Sequence, residues 1–222
     1  EIGQFWFRQH DLDRALLHWM VALEMNPAFQ AEGFKDLVLF MRKPLYLEAL
    51  QRLLKTHHPL WWDSFFSYAA THAEDLLSLK TLYEARLSSG FEVTAIEEDA
   101  LFERLMRDHQ WADAYFTWLN HLSTRELNLL GNIFDGNFLL PPSNRGFGWR
   151  SHDEAAYSIF FKHHTAPKTS GEAVIYFTGA KPKNMTLLTQ FLLLEPGRFR
   201  LKGEVMTEHL KAGEGLYWEF RD

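Results

Sequence analysis

The hydrophobic periodicity of this chain changes once, near residue 130, and that change limits the folds the chain can adopt. Before it, apolar residues recur at steps of three and four, which return side chains to one face of a helix. After it, apolar and polar residues alternate, as they do along a half-buried strand. The change falls in the Gly-, Asn- and Pro-rich run Gly131–Arg150, a composition that ends helices and supplies turns. The sequence predicts an all-α domain over residues 1–130 and an antiparallel β domain over residues 131–222.

Short helical hairpins are predicted along the first domain. The first hairpin carries an apolar stripe that has to be buried, formed by Leu12, Ala15, Leu16, Trp19, Ala22 and Leu23. Breakers separate the later stretches, among them Pro44, Pro59 and the run Ser88–Gly90. The predicted helices that follow the first hairpin span Phe34–Met41, Leu45–Thr56, Leu60–Ala73, Ala73–Leu87 and Ile96–Arg107.

An internal repeat adds detail to this helical prediction. The segments Arg8–Leu23 and Arg107–Leu122 share Arg, His, Ala, Trp and Leu in register at an offset of 99 positions, 107 minus 8. This offset equals three units of about 33 residues, and periods of about 34 residues are typical of stacked helix pairs. Each pair needs a neighbour to bury its apolar face, so the repeat predicts a solenoid.

The segment Phe5–Pro27 resembles a tetratricopeptide repeat. The aromatic residue of the first helix, the two small residues, the bulky residue and the terminating proline of that family correspond to Trp6, Ala15, Ala22, Trp19 and Pro27. The turn glycine of the family is His10 in this chain, and the units between the two copies match poorly. The resemblance implies a tetratricopeptide-like solenoid that binds a protein partner.

The second domain is predicted to contain several short strands. In the run Arg198–Met206 the residues Phe199, Leu201, Gly203 and Val205 alternate with charged neighbours, and Leu216, Trp218 and Phe220 alternate similarly. A tight turn at Pro196–Gly197 predicts a hairpin between the flanking strands. Many short antiparallel strands favour closure into a β-sandwich.

Three pieces of this domain resemble the jelly-roll carbohydrate-binding modules. They are the opening NIFDGNF with the following GFGWR, the central QFLLLEPGRFRLKGEV, and the closing GLYWEF. Modules of this kind usually continue past the position of Trp218, which leaves open whether the last strands lie outside this chain. The resemblance implies a glycan site built from flat rings, and the candidates are Trp149, Tyr157, Tyr176 and Tyr217. The alternative is that these rings form core, and a structural calcium ion near Asp135 or Asp153 is a further alternative.

Four aromatic residues of the helical domain are candidates for binding a protein partner. They are Trp61, Trp62, Phe65 and Phe66. Helical solenoids bind peptides in grooves lined by such side chains, and packing inside the repeat core is the competing interpretation. Successive helical residues point about 100° apart, so we expect at least one of the four rings to face away from the core.

Composition argues against several classes of function. A net charge of -6 with interspersed signs is unlike a nucleic-acid-binding surface, and the absence of cysteine excludes disulfides, thiolate metal sites and Cys nucleophiles. No run approaches the ~20 apolar residues of a membrane helix. The chain begins without Met inside a predicted helix, so an upstream signal or anchor is an open question.

Sequence motifs of catalysis are not found. Nucleophile elbows, phosphate loops and dinucleotide fingerprints are missing, and the acidic run Glu97–Asp99 is interpreted as a helix start. The pairs His57–His58 and His163–His164 and the run His152–Glu154 lack the spacing of metal ligands. We expect no catalytic residue, cofactor or metal.

Helical repeats followed by such a sandwich also resemble bacterial envelope proteins of exopolysaccharide production or export. This resemblance implies a periplasmic or envelope-associated scaffold whose repeats bind a protein and whose sandwich binds glycan. The competing function is a pure protein-interaction adaptor. A third is a glycan-active hydrolase, which needs two carboxyl groups about 5–10 Å apart in a cleft.

Overall fold

The computed structural model describes residues 2–151, 156–164, 170–179, 186–209 and 216–221, with the side chains of His163 and His164 excepted. Within this described part, nine α-helices lie between residues 2 and 127. They are α1 (Ile2–Arg8), α2 (Leu12–Met25), α3 (Gln30–Met41), α4 (Pro44–Thr56), α5 (Trp62–His72), α6 (Leu76–Leu87), α7 (Ala95–Arg107), α8 (Trp111–Leu119) and α9 (Thr124–Leu127), with a 3-10 helix at Pro27–Phe29 before α3. The five predicted helices each correspond to one of these, from α3 to α7.

The first eight helices form four consecutive hairpins that stack on one another. Each hairpin joins an odd-numbered helix to the even-numbered helix after it. Helix α4 lies between α2 and α6 in one layer, and α5 lies between α3 and α7 in the other. Burial of each hairpin therefore depends on its neighbour, since an isolated pair leaves an apolar face uncovered.

The two copies of the sequence repeat form equivalent hairpins, the first and the fourth. His10 and His109 both have a left-handed φ, 61° and 56°. The amide of Asp11 donates to the carbonyl of Trp6, as the amide of Gln110 donates to the carbonyl of Leu105. Ala15 and Ala114 are both fully buried. The 99-residue offset thus connects hairpins that lie three units apart in the stack.

Capping side chains fix where several helices begin. Thr94 and Glu97 form a capping box at α7, and Ser123 and Glu126 form another at α9. The carboxylate of Asp75 accepts the amide of Ser78 at the start of α6. Such side chains satisfy amide groups that have no partner inside the helix. The interpretation of Glu97 as part of a helix start is confirmed.

The segment after Leu130 packs on the end of the helical stack as an irregular loop. Its rings Phe134 and Phe147 lie 5.0 and 5.6 Å from the ring of Trp118 on α8, and Phe147 belongs to the main apolar core. The run NIFDGNF was predicted to open the first strand. Asp135 and Phe138 instead have left-handed φ values of 47° and 53°, which a strand does not allow.

The predicted β-sandwich is wrong. In the described part of the chain the strands are β1 (Arg150–Ser151), β2 (Tyr157–His164), β3 (Ser170–Phe177) and β4 (Leu188–Thr189). They form two antiparallel sheets of two strands each, β1 with β4 and β2 with β3. In the second sheet Tyr157 is opposite Phe177 and His164 is opposite Ser170. Two separate pairs have no second layer to enclose a sandwich core.

The remaining predicted strands pair with no other described segment. Residues 191–207 and 216–221 have no regular secondary structure, and Pro196–Gly197 does not connect two paired strands. Alternating polarity identifies sequence that suits a strand, but ladder hydrogen bonds require a second strand in register. The periodicity therefore showed which segments suit a strand, but it did not show which segments pair with one another.

Candidate functional site

An open groove of about 380 Å³ lies between α5 and α7 on the outer surface of their layer. Its floor contains small side chains, Ala70 and Ala100, which leave space between the two helices. Polar residues interrupt the aromatic sequence of α5 at Ser67 and Thr71, four positions apart and thus on one face. The complete lining consists of Ser67, Ala70, Thr71, Ile96, Asp99, Ala100, Glu103, Arg104 and Arg107.

Two arginines of α7 close one end of the groove over the C-terminus of α5. Arg104 donates from Nη1 to the carbonyls of Ala70 and Ala73, at 3.2 and 2.7 Å, and its Nε is 2.6 Å from the carboxylate of Asp108. Arg107 donates to the carbonyl of Ala70 at 2.5 Å. Cations at a helix C-terminus satisfy free carbonyls and complement the helix dipole. Both arginines thereby fix the end of α5.

The accessible charge at this end belongs to Arg107. The Arg104 side chain is only 5% exposed, whereas that of Arg107 is 48% exposed. The carboxylate of Asp108 lies 3.8 Å from Nε of Arg107, a longer contact than its 2.6 Å bond to Arg104. A partner in the groove would thus meet the guanidinium of Arg107 first.

The acidic residues of the groove are neutralised by the loop that follows α9. Arg145 donates from Nε to Asp99 at 2.8 Å, and Arg150 donates to Glu103 at 3.2 Å. Burial opposes the charge of Arg145, but its bonds to Asp99 and Glu98 outweigh burial and raise its pKa above the ordinary value. The groove consequently has a basic end and a compensated acidic wall.

A chain of polar side chains connects this wall to α6. The carboxylate of Glu98 lies 2.7 Å from Nδ1 of His121 and 3.1 Å from Nη2 of Arg145. The other imidazole nitrogen of His121 lies 3.1 Å from the hydroxyl of Tyr83. Burial, followed by the charges of Glu98 and Glu97, raises the pKa of Tyr83 to about 12. The phenol therefore stays neutral near pH 7 and serves as a hydrogen-bonding group between α6 and the residues after α8.

A fully buried ion pair lies behind the groove. Arg86 of α6 and Glu97 of α7 have no exposed surface, and Nε of Arg86 is 3.1 Å from Oε1 of Glu97. The indole of Trp62 on α5 donates to the same carboxylate oxygen, while Nη2 of Arg86 donates to the carbonyl of Glu92. Glu97 thus joins three helices through one carboxylate.

The four predicted partner-binding rings lie in the core. Trp61 is 3% exposed, and Trp62, Phe65 and Phe66 are completely buried. The indole of Trp61 donates to the carbonyl of Met20, which fixes it against α2. The expectation that one of the four faces solvent is wrong because neighbouring helices from both layers cover the part of α5 that carries these rings. These side chains support the groove from behind and do not line it.

The four predicted glycan-binding rings fall into two classes. Trp149 is 7% exposed and donates from its indole to the carbonyl of Asp135, and Tyr157 is 1% exposed. Tyr176 on β3 and Tyr217 near the C-terminus are 61% and 79% exposed. The buried pair fits the alternative that such rings form core, and only the exposed pair is accessible to a ligand.

Of the two residues predicted to lie near a calcium ion, Asp135 and Asp153, the structure describes Asp135. The two carboxylate oxygens of Asp135 accept the amides of Leu139 and Leu140, both at 2.8 Å, so this side chain organises its own loop. Asp153 and the run His152–Glu154 lie outside the described residues. Among the described residues, no group of three or more His, Cys, Asp or Glu side chains is placed to hold a metal ion.

Comparisons with protein families, curated proteins and solved structures gave no match. The tetratricopeptide, carbohydrate-binding-module and envelope resemblances stay predictions. Within the described part of the chain, no helix has both the length and the apolar character needed to cross a membrane.

Sequence reasoning missed the groove itself. The available signal was the helical spacing of residues along one face of each helix, Ser67 and Thr71 on α5, and Ile96, Ala100 and Arg107 on α7. Each set recurs at helical steps and therefore lies along one face of its helix. The aromatic rings predicted to bind a partner lie in the core instead.

Proposed function

We propose that this chain is a non-enzymatic protein-interaction adaptor whose helical stack binds an extended segment of a partner protein in the groove between α5 and α7. The observation that carries the proposal is the groove, with its small floor residues and the half-exposed Arg107 at one end. The predicted glycan role required a sandwich face, which the described residues do not form. The proposal therefore rests on the groove between the two helices and on the arginines after α9 that pair with its acidic residues.

The chemistry of the groove specifies the kind of segment that fits. Ala70 and Ala100 accommodate small or medium apolar side chains, and Ser67 and Thr71 supply hydroxyl groups. Asp99 and Glu103 already have arginine partners, whereas Arg107 donates to the carbonyl of Ala70 and lies 3.8 Å from the carboxylate of Asp108. A carboxylate of the partner is expected to pair with Arg107, since guanidinium groups bind carboxylates through two parallel hydrogen bonds.

A display experiment tests this proposal. The immobilised chain is panned against a random library of 12-residue peptides, and enriched peptides are resynthesised for titration. We expect enriched sequences to contain Asp or Glu beside small apolar residues. Arg107→Glu should weaken their binding by about tenfold or more, because a charge pair becomes a repulsion worth more than 1.4 kcal/mol.

Two further variants distinguish binding in the groove from a general effect of surface charge on peptide binding. Arg52→Glu on α4 is the matched control, since the Arg52 side chain is 51% exposed and its ion pair with Asp13 lies in the other layer; it should leave peptide binding unchanged. Ala100→Leu fills the groove without changing charge and should weaken binding. Selected peptides that bind wild type, Arg107→Glu and Ala100→Leu equally, or a selection without enrichment, would contradict the proposal.

A further inference from the structure

The segment Arg198–Glu208 has a strand-like sequence, and none of the strands that the structure describes lies beside it. Every residue of this segment is exposed, including Phe199 at 53%, Leu201 at 39% and Val205 at 74%. None of its backbone groups is hydrogen bonded to another described residue, and none of its residues has a left-handed φ. Exposed strands with free amide and carbonyl groups are templates for pairing with another chain. The order of charged and apolar residues in the segment indicates which chain can pair with it.

The segment is complementary to itself when two copies run antiparallel. With the symmetry axis at Gly203, residues whose numbers are equally far from 203 lie opposite one another. Opposite positions then pair Arg198 with Glu208, Phe199 with Thr207, Arg200 with Met206, Leu201 with Val205 and Lys202 with Glu204. The apolar pair lies on one face and the two charge pairs lie on the other, because side chains alternate along a strand. Each pair occurs twice in the dimer.

Neighbouring registers that keep the faces matched have either a like-charge pair or fewer attractive charge pairs. An axis at Val205 has no like-charge pair, but its one kind of attractive charge pair is Lys202 with Glu208. An axis at Lys202 places the two Lys202 ammonium groups opposite each other, and an axis at Glu204 does the same with two carboxylates. An axis at Leu201 places Arg200 opposite Lys202. Like charges directly opposite one another destabilise a strand pair. Only the axis at Gly203 combines two kinds of attractive charge pair with no repulsive pair.

We propose that two copies of this chain associate through residues 198–208 as antiparallel strands centred on Gly203. The resulting dimer is independent of the groove between α5 and α7, which lies on the helical stack. Isolated two-stranded pairing is weak, so we expect a dissociation constant on the order of 100 μM.

Cysteine crosslinking tests the register. The chain contains no cysteine, so Gly203→Cys introduces a single thiol directly opposite its own copy. Opposite Cβ atoms in antiparallel pairs are about 4.5–5.5 Å apart, close to the separation in disulfides. Val205→Cys is the matched control, because its thiol lies about 13 Å along the strand from its own copy. Mild oxidation should link the Gly203→Cys chain and spare the Val205→Cys chain, whereas a mixture of Leu201→Cys and Val205→Cys should link as a mixed dimer.

Charge-reversal variants test the contribution of the charge pairs to association. Sedimentation equilibrium of the full chain measures the dissociation constant of each variant. Lys202→Glu creates two repulsive pairs with Glu204 and should weaken association by about tenfold. The double variant Lys202→Glu, Glu204→Lys restores opposite charges and should return the dissociation constant to near the wild-type value. Circular dichroism checks that the helices are intact in each variant. A chain that stays monomeric at 1 mM, a double variant as weak as the single one, or equal crosslinking of both single-cysteine chains would overturn the proposal.

Discussion

Tyr83 on α6 is a single residue whose pKa reflects its burial and the carboxylates near it. Burial and the nearby carboxylates of Glu98 and Glu97 raise its pKa to about 12, from a usual value of about 10. The unfolded chain releases this phenolic proton near pH 10, while the folded chain holds it until about pH 12. The stabilisation linked to Tyr83 is thus complete below about pH 10 and is lost as the pH rises toward 12.

Replacing Tyr83 with Phe should reduce the loss of stability between about pH 10 and pH 12. The phenylalanine ring fills the same space and cannot ionise, so this contribution to the pH dependence disappears. Urea unfolding at a series of alkaline pH values measures the effect. Tyr176→Phe is the control, because it removes an exposed phenol and leaves Tyr83 in place. An identical alkaline slope for wild type and Tyr83→Phe would contradict the assignment.

Among the structural elements, the loop from Gly131 to Arg150 depends most on backbone conformations that are uncommon. Gly146 has a φ of 53°, and a Cβ atom there would lie 2.0 Å from Cδ1 of Trp118. The backbone of the loop therefore contacts the indole directly. This contact holds Arg145 and Phe147 in place beside α7 and α8.

Gly146→Ala should destabilise the chain by about 2–4 kcal/mol, since a left-handed alanine and an overpacked indole each have a cost. Guanidinium unfolding followed by tryptophan fluorescence gives the free energy. Gly136→Ala in the same loop is the matched control, because its Cβ would meet nothing closer than 3.6 Å and its φ is not left-handed. The control should change stability by less than about 1 kcal/mol. Equal effects of the two substitutions would show that the indole contact is unimportant.

The elements differ in how far the sequence determines them. Helices α3 to α7 were predictable because their apolar stripes and stop signals are local in the sequence. The start of α7, for example, is marked by the capping-box residues Thr94 and Glu97. The loop conformations at Asp135, Phe138 and Gly146 depend on packing against Trp118, Trp149 and β3, which are distant in sequence. The predicted sandwich failed for the same reason, since pairing is a property of two segments.

At the scale of the whole molecule, the hydrogen-bond network around Glu97 connects three successive helices, α5, α6 and α7. Its carboxylate accepts from Trp62 of α5 and Arg86 of α6 while its second oxygen accepts the amide of Thr94 at the start of α7. In the described part, Nη1 of Arg86 has no hydrogen-bond partner, so this guanidinium depends heavily on Glu97. Hydrophobic periodicity predicted the helices but not this ion pair, because nothing in local sequence brings residues 62, 86 and 97 together.

Glu97→Gln should lower the free energy of unfolding by about 3–5 kcal/mol, since it leaves the charge of Arg86 buried without a counter-ion. The loss should affect the helical stack as a unit, because α5, α6 and α7 share the network. Melting curves followed by circular dichroism and by tryptophan fluorescence should therefore shift together.

Glu32→Gln is the control, since its ion pair with Lys35 is exposed and such pairs contribute about 0–1 kcal/mol. The double variant Arg86→Met, Glu97→Leu removes both charges and should recover much of the lost stability. A double variant no more stable than Glu97→Gln would mean that Glu97 acts through its capping box and its bond to Trp62, with the charge of Arg86 secondary.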